Sequence, residues 1–210
     1  SGSIAFEQGT YTGLKSGSTG TPVINAKGFS IGGSNITAFV GYAENGIDRS
    51  KTLAQQADRL YGFGVDGIDF GMLSVKDAAG VKYTSVKAYA DTMAVYGFDP
   101  DDFQLSASNI NLEYNRASLL GRELNFSGTN SNGTSRNLEI PTGDPEQPIT
   151  LDFAGKRLGV FAGQVTLQIS QFMYVQGSIG FQQGSFNNFV SGSTVPLGPL
   201  TGFSIGGSDI

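Results

Sequence analysis

The chain has no cysteine, no histidine and no tryptophan, and only 15% of its residues are charged. Without cysteine there is no thiol nucleophile, no disulfide and no zinc thiolate centre. Without histidine the commonest general base and metal ligand is missing as well, so most familiar catalytic designs are excluded. The charged fraction lies below the roughly 25% of an ordinary globular chain. The 13 Lys and Arg residues are scattered between Lys15 and Arg157, and the net charge is -5. Phosphate neutralisation needs clustered cations, so no nucleic-acid partner is expected. No apolar run approaches the roughly 18 residues of a membrane helix, and Ser1 to Gln8 lacks the charged-then-apolar order of a secretion signal. No membrane span is expected in this segment, and any export signal is expected to lie outside it.

Glycine fills much of the space left by these absences, at 31 of 210 residues, about twice its usual share of roughly 7%. It is concentrated in a repeated phrase. Gly28 to Ile36 reads GFSIGGSNI, and Gly202 to Ile210 reads GFSIGGSDI, with one difference. Upstream, Gly2, Ser3, Ile4, Phe6, Gln8 and Gly9 meet Gly177, Ser178, Ile179, Phe181, Gln183 and Gly184 at an offset of 175. Ser16-Gly17-Ser18-Thr19 likewise meets Ser191-Gly192-Ser193-Thr194, and the offset then falls to 174 at the glycine phrase. Self-similarity at a fixed offset marks a tandem array. The reading is one full repeat unit over 1–175, begun mid-repeat, with the next copy starting at 176–210. Gly28, Phe29, Ile31, Gly32 and Gly33, with Gly202, Phe203, Ile205, Gly206 and Gly207, form the structural repeat motif. Its glycines are expected to hold a bend or bulge inside a strand.

Taken in order, the chain alternates apolar and polar residues with the period of two that marks half-buried strands. Ile4 and Phe6 begin it; Ile36, Ala38 and Val40 follow the glycine pair. Ile68 to Val75 and Val81 to Ala88 flank Asp77-Ala78-Ala79-Gly80, which predicts a hairpin and hence antiparallel pairing. Phe103, Leu105 and Ala107 keep one parity while Ile110, Leu112 and Tyr114 keep the other, so a bulge or bend is expected at Ser108-Asn109. Leu124 and Phe126 with Leu138 and Ile140 suggest a second hairpin around a Ser/Gly/Asn/Thr loop. Val165, Leu167, Ile169, Met173, Val175, Ile179 and Phe181 hold one parity, which implies either one long extended face or two strands meeting at Gly177. The one helix candidate is Asn45 to Tyr61, with Asp48 or Ser50 as cap, predicting a short helix near 48–61.

The search for chemistry yields little. Asp66 and Asp69, and Asp99, Asp101 and Asp102, are the candidate metal ligands, for a structural calcium ion. Neither stretch follows the spacing of known calcium loops, so both read first as solvated turns. Asp99 and Asp101 could act as an acid/base pair on a glycan, but their sequence spacing fixes no separation in space. GFGVDG at Gly62 to Gly67 lacks the glycine spacing and following helix of a dinucleotide site. No catalytic residue and no cofactor is assigned.

The phrases LTGFSIGGSDI and YVQGSIGFQQG, with the TLDF…GVFAGQVTLQIS run before them, resemble the tandem β-rich repeats of giant bacterial extracellular or surface adhesin-like proteins. The resemblance implies an extracellular, fibrous and non-enzymatic role. The fold expected is all-β: an elongated, predominantly antiparallel repeat unit, solenoid-like or a stacked meander. The function expected is a structural repeat of an extracellular filament or long adhesin stalk, whose partners are further copies, in tandem or by end-to-end or lateral association. The alternative is a glycan- or surface-binding module using Tyr11, Tyr42, Tyr89, Tyr114 or Phe186.

Overall fold

The computed structural model describes residues 2–186, 190–191, 195–196 and 200–210. Ser1 and the Gly192-Ser193-Thr194 part of the repeat lie outside the described residues. The strands in chain order begin with β1 (Ser3–Tyr11), β2 (Lys15–Ser16), β3 (Thr21–Pro22), β4 (Ala26–Ala43) and β5 (Leu60–Lys76). Next come β6 (Lys82–Tyr96), β7 (Phe103–Ala117), β8 (Leu138–Ile140), β9 (Ile149–Leu151) and β10 (Arg157–Ile169). The last are β11 (Met173–Phe186), β12 (Val190–Ser191), β13 (Val195–Pro196) and β14 (Leu200–Ser208). Eight of them form a single sheet in the order β1-β4-β5-β6-β7-β10-β11-β14. Each neighbouring pair is antiparallel. The chain is therefore all-β, and of the two arrangements left open by the sequence it adopts the antiparallel meander.

The two faces of this sheet differ sharply. One face is covered over part of its area by a cap made from residues 121–155 and the loop between β1 and β4. Leu124, Phe126, Ile140, Leu151 and Phe153 from the cap bury Leu73, Val75 and Tyr83 of β5 and β6, together with Leu14, Val23 and Ala26. Phe126 and Phe153 meet edge to face with centroids 5.7 Å apart, a favoured aromatic geometry. Several polar groups under the cap are paired, as burial favours. The Tyr83 hydroxyl donates to Asp77 at 2.9 Å. Asn115 accepts from Ser85 and donates to the carbonyls of Leu124 and Gly155. Lys87 donates to Asp152 at 2.7 Å.

Farther along the same face, a 3-10 turn at Ala54–Arg59 covers β5. Leu53 is fully buried against Gly64, where an added Cβ would collide with it. A regular helix was expected here. Gln56, at φ -134, breaks the helical geometry, because its side-chain amide is spent on the loop: it accepts from Asp48 N–H and donates to the Asp48 and Thr52 carbonyls. A side chain that satisfies local backbone groups in this way competes with helix.

Three other expectations need correction. Leu138 and Ile140 pair with β9 rather than with Leu124 and Phe126; Leu124 instead bridges Ser16, and Asn125 between them bridges Ala154. The one-parity run from Val165 to Phe181 is two strands, but they turn at Ser170 to Phe172, not at Gly177. Ile169 and Met173 are cross-strand partners across that turn, so odd-numbered residues on both sides share a face. The glycine pair is not itself the irregular point of β4. The register shifts between Gly33 and Ile36, and Asn35 takes the left-handed conformation, φ 51.

Asn35 does not act alone. Gly67 on β5 and Asn109 on β7 also have positive φ, at 64 and 52, and Asn109 is where the parity slip was expected. These residues reverse the alternation on β4, β5 and β7. Ile36 accordingly stays on the face of Gly33, whose added Cβ would strike Ile36 and Phe70. The same face then continues through Ala38, Val40 and Tyr42.

Candidate functional site

The feature that distinguishes this chain is the pair of hairpins made by the two copies of the repeat. β1 and β4 pair from Ser3↔Ser34 to Tyr11↔Ala26. β11 and β14 pair from Ser178↔Ser208 to Phe186↔Leu200. Every pair of the second set is the sequence equivalent of a pair in the first. The small hairpin between them repeats too: Lys15↔Pro22 and Ser16↔Thr21 correspond to Val190↔Pro196 and Ser191↔Val195. Side chains follow the backbone. Phe6 stacks on Phe29 with centroids 5.7 Å apart and rings 27° from parallel; Phe181 stacks on Phe203 at 6.3 Å and 23°. Asn35 and Asp209, the one position at which the two phrases differ, both take the left-handed conformation, with φ 51 and 56. Asn and Asp are the residue types other than glycine that tolerate it best. The signal was present in the sequence, in the chemistry of the single substitution.

The surroundings of the two hairpins differ. An added Cβ on Gly28 would collide with the Ser74 carbonyl on β5, and one on Gly32 with the Pro141 carbonyl of the cap. Gly206, the equivalent of Gly32, has nothing within 4 Å, and Gly202, the equivalent of Gly28, meets only Phe186 at 4.0 Å. These glycines have ordinary extended backbone, so the first copy needs them for close approach of neighbouring backbone, not for a bend. An open groove beside the second copy, lined by Ser178, Gly180, Gln182, Ser204 and Gly206, lies where Pro141 and Gly143 cover the first. In the first copy Gly143 sits directly against the Ile4 backbone.

Of the candidate metal ligands, the Asp66, Asp69 and Asp99 carboxylates are engaged in local structure. Asp66 is buried and accepts from Thr37 at 3.0 Å and from the Leu53 N–H at 2.7 Å, which ties the 3-10 turn to the sheet. Asp69 accepts from the Asn35 N–H at 2.8 Å, supporting the left-handed residue. Asp99 accepts from the Asp101 N–H at 3.0 Å in the turn before β7, where Asp102 lies exposed. Among the described residues no three acidic side chains gather in a way that could hold a metal ion.

The aromatics proposed for glycan contact do not converge either. Tyr42 pairs with Tyr61 at 6.2 Å, Tyr89 lies under the Lys87 ammonium, and Tyr11 packs on the core. Tyr114 sits on β7 opposite Val86 of β6, and Phe186 at the end of β11.

Two further features were missed at the level of sequence. Pairing partners share a face, so the uncapped face carries two rows across all eight strands that are apolar but for Gln183. One row reads Ile4, Gly33, Phe70, Ala88, Leu112, Val160, Phe181, Ile205. The next reads Phe6, Ile31, Met72, Val86, Tyr114, Leu158, Gln183, Phe203. At one end of this face Lys27, Lys76 and Lys82 are consecutive cross-strand partners, although they are scattered in the sequence.

No family model, no curated protein and no solved structure matches this chain.

Proposed function

We propose that the chain is a structural repeat whose copies extend one continuous antiparallel sheet, as in an extracellular bacterial filament or long adhesin stalk, and that it carries no catalytic centre. The observation that carries this reading is the reproduction of one hairpin, pair for pair, at both edges of the sheet. β11 is equivalent to β1 and β14 to β4, so a copy consists of β1, β4, β5, β6, β7 and β10. An even number of strands returns each copy to the same chain direction, and the next copy's β5 pairs on the free edge of β14. The edges then cease to be a hazard for aggregation, because each is covered by the neighbouring copy.

Six spacings of about 4.8 Å advance the sheet by about 29 Å per copy. The absence of Cys and His and the use of the Asp66, Asp69 and Asp99 carboxylates in local structure support a mechanical role over a catalytic one. Chains carrying one, two and three copies provide the test, with maximum dimension measured by small-angle X-ray scattering. We expect a constant increment of about 29 Å, lessened by whatever coiling the sheet twist produces. Independent beads on flexible connections, with no fixed increment, would overturn the reading.

A further inference from the structure

The apolar face described above is far larger than a solvent-exposed surface ordinarily permits. Two full rows, each about 6.6 Å deep, cross the seven spacings of about 4.8 Å between all eight strands, and about four further rows cross only the six inner strands, because β1 and β14 end there. The face therefore measures roughly 1,100 Å², against roughly 300–600 Å² for the largest apolar patch of a typical monomer. It continues above the two full rows through Ala38, Val65, Met93, Ala107 and Val165, which are again consecutive partners. The three rows named hold no charged side chain, and the Lys27-Lys76-Lys82 row with Arg116 lies at one end of them and the acidic turn at the other. Ile4, Phe6, Phe203 and Ile205 are each at least 60% exposed.

We propose that this face is buried against the same face of a second molecule of this chain, forming a two-layer sandwich with antiparallel strands. Two considerations select that occupant. The face exceeds the roughly 800 Å² per partner of a standard stable interface, and two sheets of equal pitch interdigitate at about 10 Å separation. The charges at its ends are also complementary under one orientation. Lys27, Lys76 and Lys82 form a like-charged row that is unfavourable within one sheet, and among the described residues none of the three is in an ion pair. The turn between β6 and β7, at the far end of the same strands, carries Asp99, Asp101 and Asp102 and no cation. A twofold axis lying across the strands places the lysine row of each molecule over the aspartates of the other, while an axis along the strands would oppose lysine to lysine. The proposal rests on the face alone and does not require tandem copies, so either reading can fail without the other.

Sedimentation velocity on the intact chain is the first test. We expect a dimer at tens of micromolar, converted to monomer by Val86→Lys or Leu112→Glu at the centre of the face. Both side chains point away from the cap, so the circular dichroism of the variants should be unchanged. Lys76→Glu with Lys82→Glu should weaken association about tenfold at low salt and less at high salt. Because the chain has no cysteine, single spin labels at Ala88→Cys and Lys82→Cys report geometry even if the charged variants fail to fold. Near the midpoint of β6, labels at 88 should lie within about 20 Å of each other, whereas labels at 82 should be about 45 Å apart. Three outcomes overturn the proposal: a monomer up to about 200 µM, association unaffected by Val86→Lys, or labels at 82 closer together than labels at 88. Binding to vesicles of phosphatidylcholine with one quarter phosphatidylglycerol, in place of self-association, would assign the face to a lipid surface and overturn it equally.

Discussion

Two hairpins in this chain share sequence, register and aromatic stacking, yet one is enclosed and the other is open. Around β1 and β4 the glycines touch neighbouring backbone: Gly28 meets β5 and Gly32 meets the cap. Around β11 and β14 the equivalent Gly202 and Gly206 face open space. The hairpin conformation therefore does not depend on its neighbours, because it forms alike in both settings. The glycines do depend on them. A residue type required in one copy and idle in the other is accounted for if the second copy is meant to receive the same neighbours.

The largest expected difference between the copies comes from Gly28→Val and Gly202→Val. The first forces side-chain atoms into the β5 backbone and should cost at least about 4 kcal/mol, enough to abolish the folded state of a marginally stable domain. The second should change stability by less than about 0.5 kcal/mol, as for exposed sites without special features. Chemical denaturation of both variants checks this. Equal losses would erase the distinction between an enclosed and an open copy.

A second effect is confined to the enclosed region. Burial, reinforced by the hydrogen bond to Asp77, raises the Tyr83 hydroxyl above its usual pKa. Burial works to lower Lys87, but its hydrogen bond to Asp152 and the adjacent Tyr89 outweigh this and hold the ammonium above its usual value. Groups whose pKa is raised on folding contribute stability that is intact below the unfolded value, about 10 for both types, and lost as pH rises through the folded value. Thermal unfolding should accordingly be little affected by these groups between pH 7 and 9 and should occur at falling temperature above about pH 10. Asp152→Ala should lower stability by about 1 kcal/mol, since it strands a nearly buried ammonium beside a half-exposed site. A stability curve that declines already from pH 7 would contradict this assignment.

Smaller differences sharpen the comparison. Asp69→Ala removes the acceptor for the Asn35 N–H and should cost about 1 kcal/mol through the first hairpin only. Phe6→Ala and Phe181→Ala remove equivalent members of equivalent stacked pairs, and each should cost about 1 kcal/mol. A large gap between the two would mean that the hairpins are alike in register but not in packing.

Much of this architecture was legible in the residues. The period-two alternation located β5, β6, β7 and β10, the Asp77 to Gly80 turn marked the hairpin of β5 and β6, and the parity slip at Ser108-Asn109 marked the left-handed Asn109. Local pattern also explains the failures. Leu138 and Ile140 have apolar neighbours on both sides in the sequence, and alternation alone cannot choose β9 over Leu124 and Phe126. The helical spacing of Leu53, Ala57 and Leu60 was overridden by one side chain, Gln56, bonding to the loop backbone. The open apolar face stayed hidden because left-handed residues on β4, β5 and β7 reverse the alternation partway along. A count of odd or even positions then splits one face into two apparent ones. The assignment of Asp66 and Asp69 to a candidate ion site missed their role as acceptors for backbone N–H groups 13 and 34 residues away, a pairing that only the sheet brings about.

The proposal of a continuous sheet is tested most directly by amide hydrogen exchange across Leu200 to Ser208, compared between this chain and one in which residues 37–210 are appended after Ile210. Every second amide on β14 points to its free edge in the shorter chain and should exchange rapidly there. In the longer chain those amides should become as protected as their equivalents from Ala26 to Ser34, which are held between β1 and β5. Exchange at the free edge that stays equally rapid in both chains would contradict the continuous sheet.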